Sequence, residues 1–312
     1  MSKCCYGVDI GGTTVKIGLF TPDGDMTEKW EIPTNTENNG RQILTDIALS
    51  IEENLTKNGT AKSDVIGIGL GVPGPVDTEG VVHKAANLGW GEFNLENELE
   101  NIIGISVKGG NDANVAALGE MWKGGGKGYK DLVVVTLGTG VGGGVITNGR
   151  IVFGYLGAGG EIGHINIDPN ESETCGCGNR GCLEQYASAT GIVRLAGRKL
   201  NSTNAASVLR NDQISAKSVF DAVKAGDAVA IEIAEEFGEY LGRGLANVAA
   251  VTNPEIFVIG GGVSKAGEII LDYIREPYRK YAFHASREAG FALATLGNDA
   301  GMYGAVKLVL DN

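Results

Sequence analysis

The sequence is short of aromatic side chains, which make up 6% of its 312 residues, and short of positive charge, with 26 Lys and Arg against 38 Asp and Glu. The resulting net charge of −12 argues against nucleic acid and against an anionic membrane surface as partners. An anionic ligand would have to be held by local donors, since the overall field repels it. No apolar run reaches membrane-spanning length before Gly or a charge interrupts it. The N-terminal MSKCCYGVDIGG lacks the apolar stretch of a signal peptide. No Ser/Pro-rich linker, charge block or low-complexity tract breaks the chain. The expectation is a soluble protein of a reducing compartment, the cytoplasm, acting on a small molecule.

What is present points the same way. Apolar residues at 43% can build real cores, and the length allows two domains of ordinary size. Fifty glycines, without a collagen period, gather in short runs at the ends of apolar segments. Cysteine is sparse at five residues, yet Cys175, Cys177 and Cys182 fall within eight positions, and His164 lies eleven residues upstream of the first. Three thiolates and an imidazole make a four-ligand set suited to tetrahedral zinc. With every position filled by protein, no place remains for an activating water, so the expected role is structural. The metal would tie residues 159–184, a stretch rich in Gly, Asn and Asp, into one shape and fix Glu161 relative to Glu184. The rival reading is a disulfide with a free thiol, or three idle cysteines. Disulfides belong to oxidising compartments, and three cysteines cannot all pair among themselves.

Along the chain, CYGVDI and VKIGLF read as two strands joined by Gly11, Gly12, Thr13 and Thr14. Residues 41–57 carry apolar positions at helical spacing, and VIGIGL at 65–70 reads as a buried strand. Residues 102–107 form a further candidate strand, leading into Asn111 and Asp112 and a helix through about Trp122. At Leu132–Leu137 the opening pattern restarts, running through Gly138, Thr139 and Gly140 into a second strand. At a constant offset its apolar positions, and Gly138, coincide with the first copy. IFVIGGGV at 256–263 echoes VIGIGLGV at 65–72. Two echoes in the same order suggest a duplicated α/β domain. Residues 227–253 read as a long amphipathic helix with Ile233, Phe237, Tyr240, Leu241, Leu245 and Val248 on one face. Residues 264–280 read as another helix with Ser264 as N-cap, and a last helix runs from about residue 299 to 310.

Glycine turns let the backbone approach a phosphate, and threonine hydroxyls add donors, but a single GGTT or GTG is also an ordinary hairpin. Asn111 or Asp112 could do no more than cap the helix that follows. His83 and His284 have no evident partner, Cys4 and Cys5 are expected to be buried, and Trp90 and Trp122 could line a site or the core.

The motifs DIGGTT from Asp9, GVPGP from Gly71, NLGW from Asn87, NDAN from Asn111, GTG from Gly138, EIGH from Glu161, the Cys175–Glu184 cluster and GGG from Gly260 resemble, in order and over almost the whole chain, those of the ROK family of sugar kinases. The resemblance implies an actin-like ATPase (ribonuclease H-like) fold, two duplicated α/β domains around a cleft. It places a small domain at 1–110, completed by the C-terminal helix 299–312, and a large domain with the zinc loop at 111–298. The implied activity is ATP-dependent phosphorylation of glucose to glucose 6-phosphate. The alternatives are a kinase for fructose, mannose, N-acetylmannosamine or N-acetylglucosamine, or a non-catalytic sugar-responsive protein.

The same resemblance assigns roles. Asp112 would be the general base that takes the acceptor hydroxyl's proton. Asn87, Asn111, Asp112, Glu161, His164 and Glu184 would hold the sugar, His164 using one ring nitrogen for zinc. Gly11, Gly12, Thr13, Thr14 and Lys16, with Gly138, Thr139 and Gly140, would grip the phosphates of ATP. Asp9 would lie near Mg2+ through water, and Gly260, Gly261 and Gly262 would receive the adenosine. Zn2+ would sit on His164, Cys175, Cys177 and Cys182. A homodimer is implied, with a homotetramer as the variant.

Overall fold

The computed structural model describes residues 3–211 and 213–311; Met1, Ser2, Asp212 and Asn312, which fall in the expected domain ranges, lie outside the described residues. The strands are β1 Cys4–Ile10, β2 Thr14–Phe20, β3 Met26–Pro33, β4 Val65–Val72, β5 Val81–Val82, β6 Phe93–Asn94, β7 Val107–Asn111, β8 Leu132–Leu137, β9 Val141–Thr147, β10 Arg150–Ile151, β11 Ile256–Gly260 and β12 Gly290–Leu293. The helices are α1 Glu37–Gly40, α2 Ile43–Asn58, α3 Leu95–Ile103, α4 Asp112–Lys123, α5 Glu184–Ala187, α6 Ala189–Ser202, α7 Ala216–Lys224, α8 Ala228–Thr252, α9 Ile269–Tyr281 and α10 Ala300–Leu310. The chain divides into two units, one of residues 1–128, 144–160 and 296–312, the other of residues 129–143 and 161–295.

The first unit is built on a sheet in the order β3-β2-β1-β4-β7. The β1–β2 hairpin is antiparallel, pairing Asp9 with Lys16, while β4 joins β1 in parallel and pairs Gly71 with Asp9. The glycines inside these strands have a packing cause. A Cβ on Gly7 would stand 2.2 Å from the Met302 carbonyl oxygen, and one on Gly69 would stand 1.9 Å from that of Ala305. Helix α10 therefore lies directly on backbone. Ile43, Ile47 and Ile51 of α2 and Leu95, Leu99 and Ile103 of α3 are buried in the same core. Helix α4 also packs on α10 without side chains between, since a Cβ on Gly304 would stand 1.6 Å from the Val115 oxygen. For that reason α4, expected in the larger domain, lies in the first unit.

A second sheet repeats the plan: it runs β10-β9-β8-β11-β12, matching the first position for position, and of its strands β8, β11, β12 and the start of β9 belong to the second unit. Strands β8, β11 and β12 are parallel. Helix α8 buries Ile233, Phe237, Leu241 and Leu245 completely, as its apolar spacing requires.

Two expected elements are placed differently. The apolar run at 102–107 is not a strand at its start: α3 continues through Ile103 and ends on Gly104 at φ +70°, and β7 begins at Val107. A left-handed glycine, natural at a helix C-terminus, separates two apolar stretches that look continuous in sequence. The helix expected from Ser264 begins at Ile269, after a short 3-10 turn over Val263–Ala266 that ends on Gly267 at φ +89°. Ser264 is not its N-cap; its hydroxyl donates to the Gly261 oxygen at 2.8 Å. Trp90 belongs to the core, and its indole N–H donates to the Gly40 oxygen at 3.0 Å.

Candidate active site and metal centre

In the first unit, parallel pairing brings the ends of β1, β4 and β7 together. A Cβ on Gly71 would stand 3.8 Å from both Asp9 Oδ1 and Asp112 Cα, so the two acids flank the end of β4. Asp9 also abuts the first turn of α10, where a Cβ on Gly301 would lie 2.8 Å from its Cγ. Burial pushes the Asp9 pKa above the ordinary carboxylate value, while Lys16, whose Nζ is 3.8 Å away, pulls it down. Lys16 also donates to the Asn298 oxygen at 3.5 Å. The Gly11–Thr14 turn is closed by the Gly11 amide on the Thr14 oxygen at 3.0 Å and held from outside by Thr34, whose hydroxyl donates to the Gly11 oxygen at 2.7 Å. Gly12 and Thr13 are exposed at its tip.

Asn111 is the N-cap of α4. Its Oδ1 accepts from the amides of Ala113 and Asn114 at 3.1 and 3.2 Å, and its Nδ2 donates to the Gly74 oxygen at 3.3 Å. One N–H of that amide is left for a ligand. Capping by Asn111 leaves Asp112 at the first helical position, where its Oδ1 accepts from the Ala113 amide at 2.8 Å. Asn87 is exposed on the turn Ala86–Leu88. Paired hydrogen bonds between Ala85 and Trp90 close the base of that loop, and a Cβ on Gly74 would stand 3.2 Å from Ala85 Cα. Gly74 thus links the Asn87 loop to Asn111.

In the second unit, His164, Cys175, Cys177 and Cys182 place one ligand atom each within 4.8 Å of one another. Cys177 and Cys182 sulfurs are 3.6 Å apart, and Cys175 Sγ is 3.9 Å from His164 Nδ1. Two sulfurs at about 2.3 Å from a tetrahedral zinc stand roughly 3.8 Å apart, so the donor set and its spacing fit zinc and not a disulfide. The cysteines are free. His164 stands between the two acids: Nε2 is 4.0 Å from Glu161 Oε2, and Nδ1 is 3.8 Å from Glu184 Oε1. Glu184 opens α5 and uses both oxygens, Oε1 accepting from Cys175 Sγ at 3.0 Å and Oε2 from the Val141 amide at 3.4 Å. It therefore joins the metal cluster to the Gly138–Gly140 turn. That turn is closed by the Gly138 amide on the Gly140 oxygen at 3.0 Å. Gly261 adopts φ +85° with its Cα facing the Leu137 backbone, where a Cβ would come within 2.5 Å of the oxygen. Gly261 and Gly262 are exposed.

Sequence reasoning missed a charged clasp behind the metal loop. Glu171, 6% exposed, accepts from the Tyr186 hydroxyl at 2.6 Å, from Arg198 at 3.1 Å and from Arg194. Arg194 also donates to the Gln185 oxygen at 2.9 Å, next to Glu184. Burial alone raises the Glu171 pKa, but bonds from Tyr186, the Glu173 amide and the two arginines outweigh it and hold the carboxyl far below its usual range. Arg194 and Arg198 on one helix face, with an acid upstream, were the only trace in sequence. His83, expected without a partner, has Nε2 3.0 Å from Asp77 Oδ2.

Two units on one strand order, each with a Gly/Thr hairpin turn after its first strand, define the actin-like ATPase fold. The chain belongs to the ROK family, whose sequence model matches residues 5–312. A glucokinase of Halalkalibacterium halodurans is 46% identical over 97% of this chain and 94% of its own length. One from Thermotoga maritima is 38% identical over 97% of this chain and 96% of its own. The crystal structure of a ROK family glucokinase from Streptomyces griseus, in complex with glucose and AMPPNP, superposes with a TM-score of 0.76 at 35% identity, covering 99% of this chain and all of that one.

Proposed function

We propose that this chain transfers the γ-phosphoryl group of ATP to glucose, giving glucose 6-phosphate and ADP. The observation that carries this is similarity along nearly the whole chain to proteins named as glucokinases, one of them bound to glucose and AMPPNP.

Asp112 is the general base. It accepts the proton of the sugar hydroxyl as that oxygen attacks phosphorus, from its place at the head of α4. Asn87, Asn111, Glu161, His164 and Glu184 hold the other hydroxyls, paired acceptors and donors suiting a hexose. The Gly11–Thr14 and Gly138–Gly140 turns, with Lys16, bind the phosphates, and Gly260–Gly262 meet the adenosine. Asp9 would lie near Mg2+, which would neutralise charge developing on the phosphates. His164, Cys175, Cys177 and Cys182 would hold zinc, which would supply rigidity and no chemistry, since protein would fill all four positions. A cytoplasmic location and a homodimer complete the reading. Among the described residues no helix is long and apolar enough to cross a membrane.

A coupled ADP-release assay with glucose, fructose, mannose, N-acetylmannosamine and N-acetylglucosamine tests the assignment. Glucose should give the highest kcat/KM. A higher value for another hexose would reassign the substrate, and sugar binding without ADP release would make the protein a sugar-responsive binder.

A further inference from the structure

We infer that Thr190 is a positioning residue for ATP, acting through the peptide planes of the Gly138–Gly140 turn. The inference rests on assigning that turn to the phosphates. Two carbonyls of the turn are held from one side by the start of α6. The Ala189 amide donates to the Gly138 oxygen at 2.8 Å, and the Thr190 hydroxyl donates to the Thr139 oxygen at 2.8 Å. A trans peptide is planar, with its C=O and N–H pointing in opposite directions. Fixing the Gly138 carbonyl therefore fixes the Thr139 N–H, and fixing the Thr139 carbonyl fixes the Gly140 N–H. Both amides are turned away from α6, side by side, on a turn whose tip, Thr139, is exposed. Consecutive N–H groups aimed one way make an anion-binding concavity.

Glycines on both sides of Thr139 would otherwise leave these planes free to rotate. The clamp itself is anchored. Ser188, fully buried, caps α6 by accepting from the Gly191 amide at 2.9 Å and donates to the Glu184 oxygen at 2.6 Å. Of the two clamping bonds, the Thr190 hydroxyl's is the one a substitution can remove without touching the backbone. Thr190 is exposed, so its loss leaves no cavity in the core.

The test compares wild type, Thr190→Val and Thr190→Ser for binding of AMPPNP with magnesium, of adenosine and of glucose, with zinc counted per chain. Thr190→Val is expected to weaken AMPPNP binding about three- to ten-fold, the range for one lost hydrogen bond. Adenosine and glucose affinities and zinc content should stay unchanged, and Thr190→Ser should restore AMPPNP binding. Unaltered AMPPNP affinity in Thr190→Val overturns the inference and leaves the kinase reading standing. Equal losses for AMPPNP and adenosine also overturn it, since the turn would then have collapsed as a whole. Failure of the wild type to bind AMPPNP at all would remove the phosphate assignment itself.

Discussion

Replacing Glu171 by Gln keeps the shape of the clasp and removes its negative charge. The carboxylate is 6% exposed and accepts from Tyr186 at 2.6 Å, from the Glu173 amide at 2.9 Å, from Arg198 at 3.1 Å and from Arg194. Removing one partner of a buried pair costs about 3–5 kcal/mol, because the other charge is left without compensation. Two features put this site at the lower end: Arg194 Nε retains Glu173 Oε2 at 3.1 Å, and Arg198 is 44% exposed. A loss of about 3 kcal/mol lowers the melting temperature of a unit of this size by roughly 6–12 °C. The pH dependence carries a sign. The folded-state pKa of Glu171 lies below its ordinary value of 4.5, so its contribution is complete above pH 4.5 and is lost as pH falls toward the folded pKa. The gap between wild type and Glu171→Gln should therefore shrink on acidification, by about 1.4 kcal/mol per pH unit once below that value. Thermal unfolding followed by circular dichroism between pH 7 and pH 3.5, with zinc content matched, gives both numbers. A variant that melts with the wild type, or a gap that widens in acid, would refute the reasoning.

Asp112→Asn should lower kcat by about 10²–10⁴ while glucose affinity by calorimetry stays within a few-fold; loss of sugar binding would make Asp112 a ligand and not the base. Gly261→Ala should lower thermal stability by at least about 1–3 kcal/mol, since φ is +85° and the new Cβ would meet the Leu137 oxygen at 2.5 Å. An unchanged melting temperature would show that this turn gives way easily. Cys177→Ser should reduce zinc per chain and raise KM for glucose, measured by elemental analysis beside steady-state kinetics. Full metal content in the variant would remove Cys177 from the ligand set.

The repeat was legible because a strand, a Gly/Thr turn and a second strand recur with apolar residues in register, and both copies fold into the same sheet order. The convergence of His164, Cys175, Cys177 and Cys182 was legible from spacing alone, and the four do lie together as a set that could hold a metal. Other features depend on distant chain. Gly7 and Gly69 are small because α10, some three hundred and two hundred forty residues later, rests on them. The Glu171 clasp reads in sequence as surface charge, since Arg194 and Arg198 stand 23 and 27 positions away and only the folded loop buries the acid. The misplaced strand at 102–107 shows the limit of apolar periodicity: Ile102–Ile103 and Ile105–Val107 read as one apolar run, and only Gly104 between them, at φ +70°, ends the helix before the strand begins. Asn111 and Asp112 were ambiguous for a physical reason. A helix cap and a catalytic base want the same residue types; Asn111 takes the cap, and the proposed function gives the base to the adjacent Asp112.

The metal loop has two kinds of anchor, and they divide its labour. The sequence leads one to expect zinc to tie residues 159–184 into one shape, yet the first half of that loop is secured by protein. The Ile167 amide bonds the Gly181 oxygen at 2.7 Å, the Leu183 amide bonds the Ile165 oxygen at 2.9 Å, and Tyr186 reaches Asp168 at 3.0 Å and Glu171 at 2.6 Å. Residues 174–180 are different. Their internal bonds, Cys175 amide to Asn179 oxygen at 2.7 Å and Gly178 amide to Cys175 oxygen at 2.9 Å, close a knuckle on itself. Zinc would tie two cysteines of that knuckle to Cys182 and the His164 ring. Without a metal His164 should then be released from between Glu161 and Glu184, loosening the two acids proposed to hold the sugar. The α5–α6 corner, held by Arg194 and Ser188, would keep its grip on the Gly138–Gly140 turn. Zinc on this reasoning governs affinity for sugar far more than affinity for nucleotide, which is why the Cys177→Ser effect is expected in KM for glucose and not in KM for ATP.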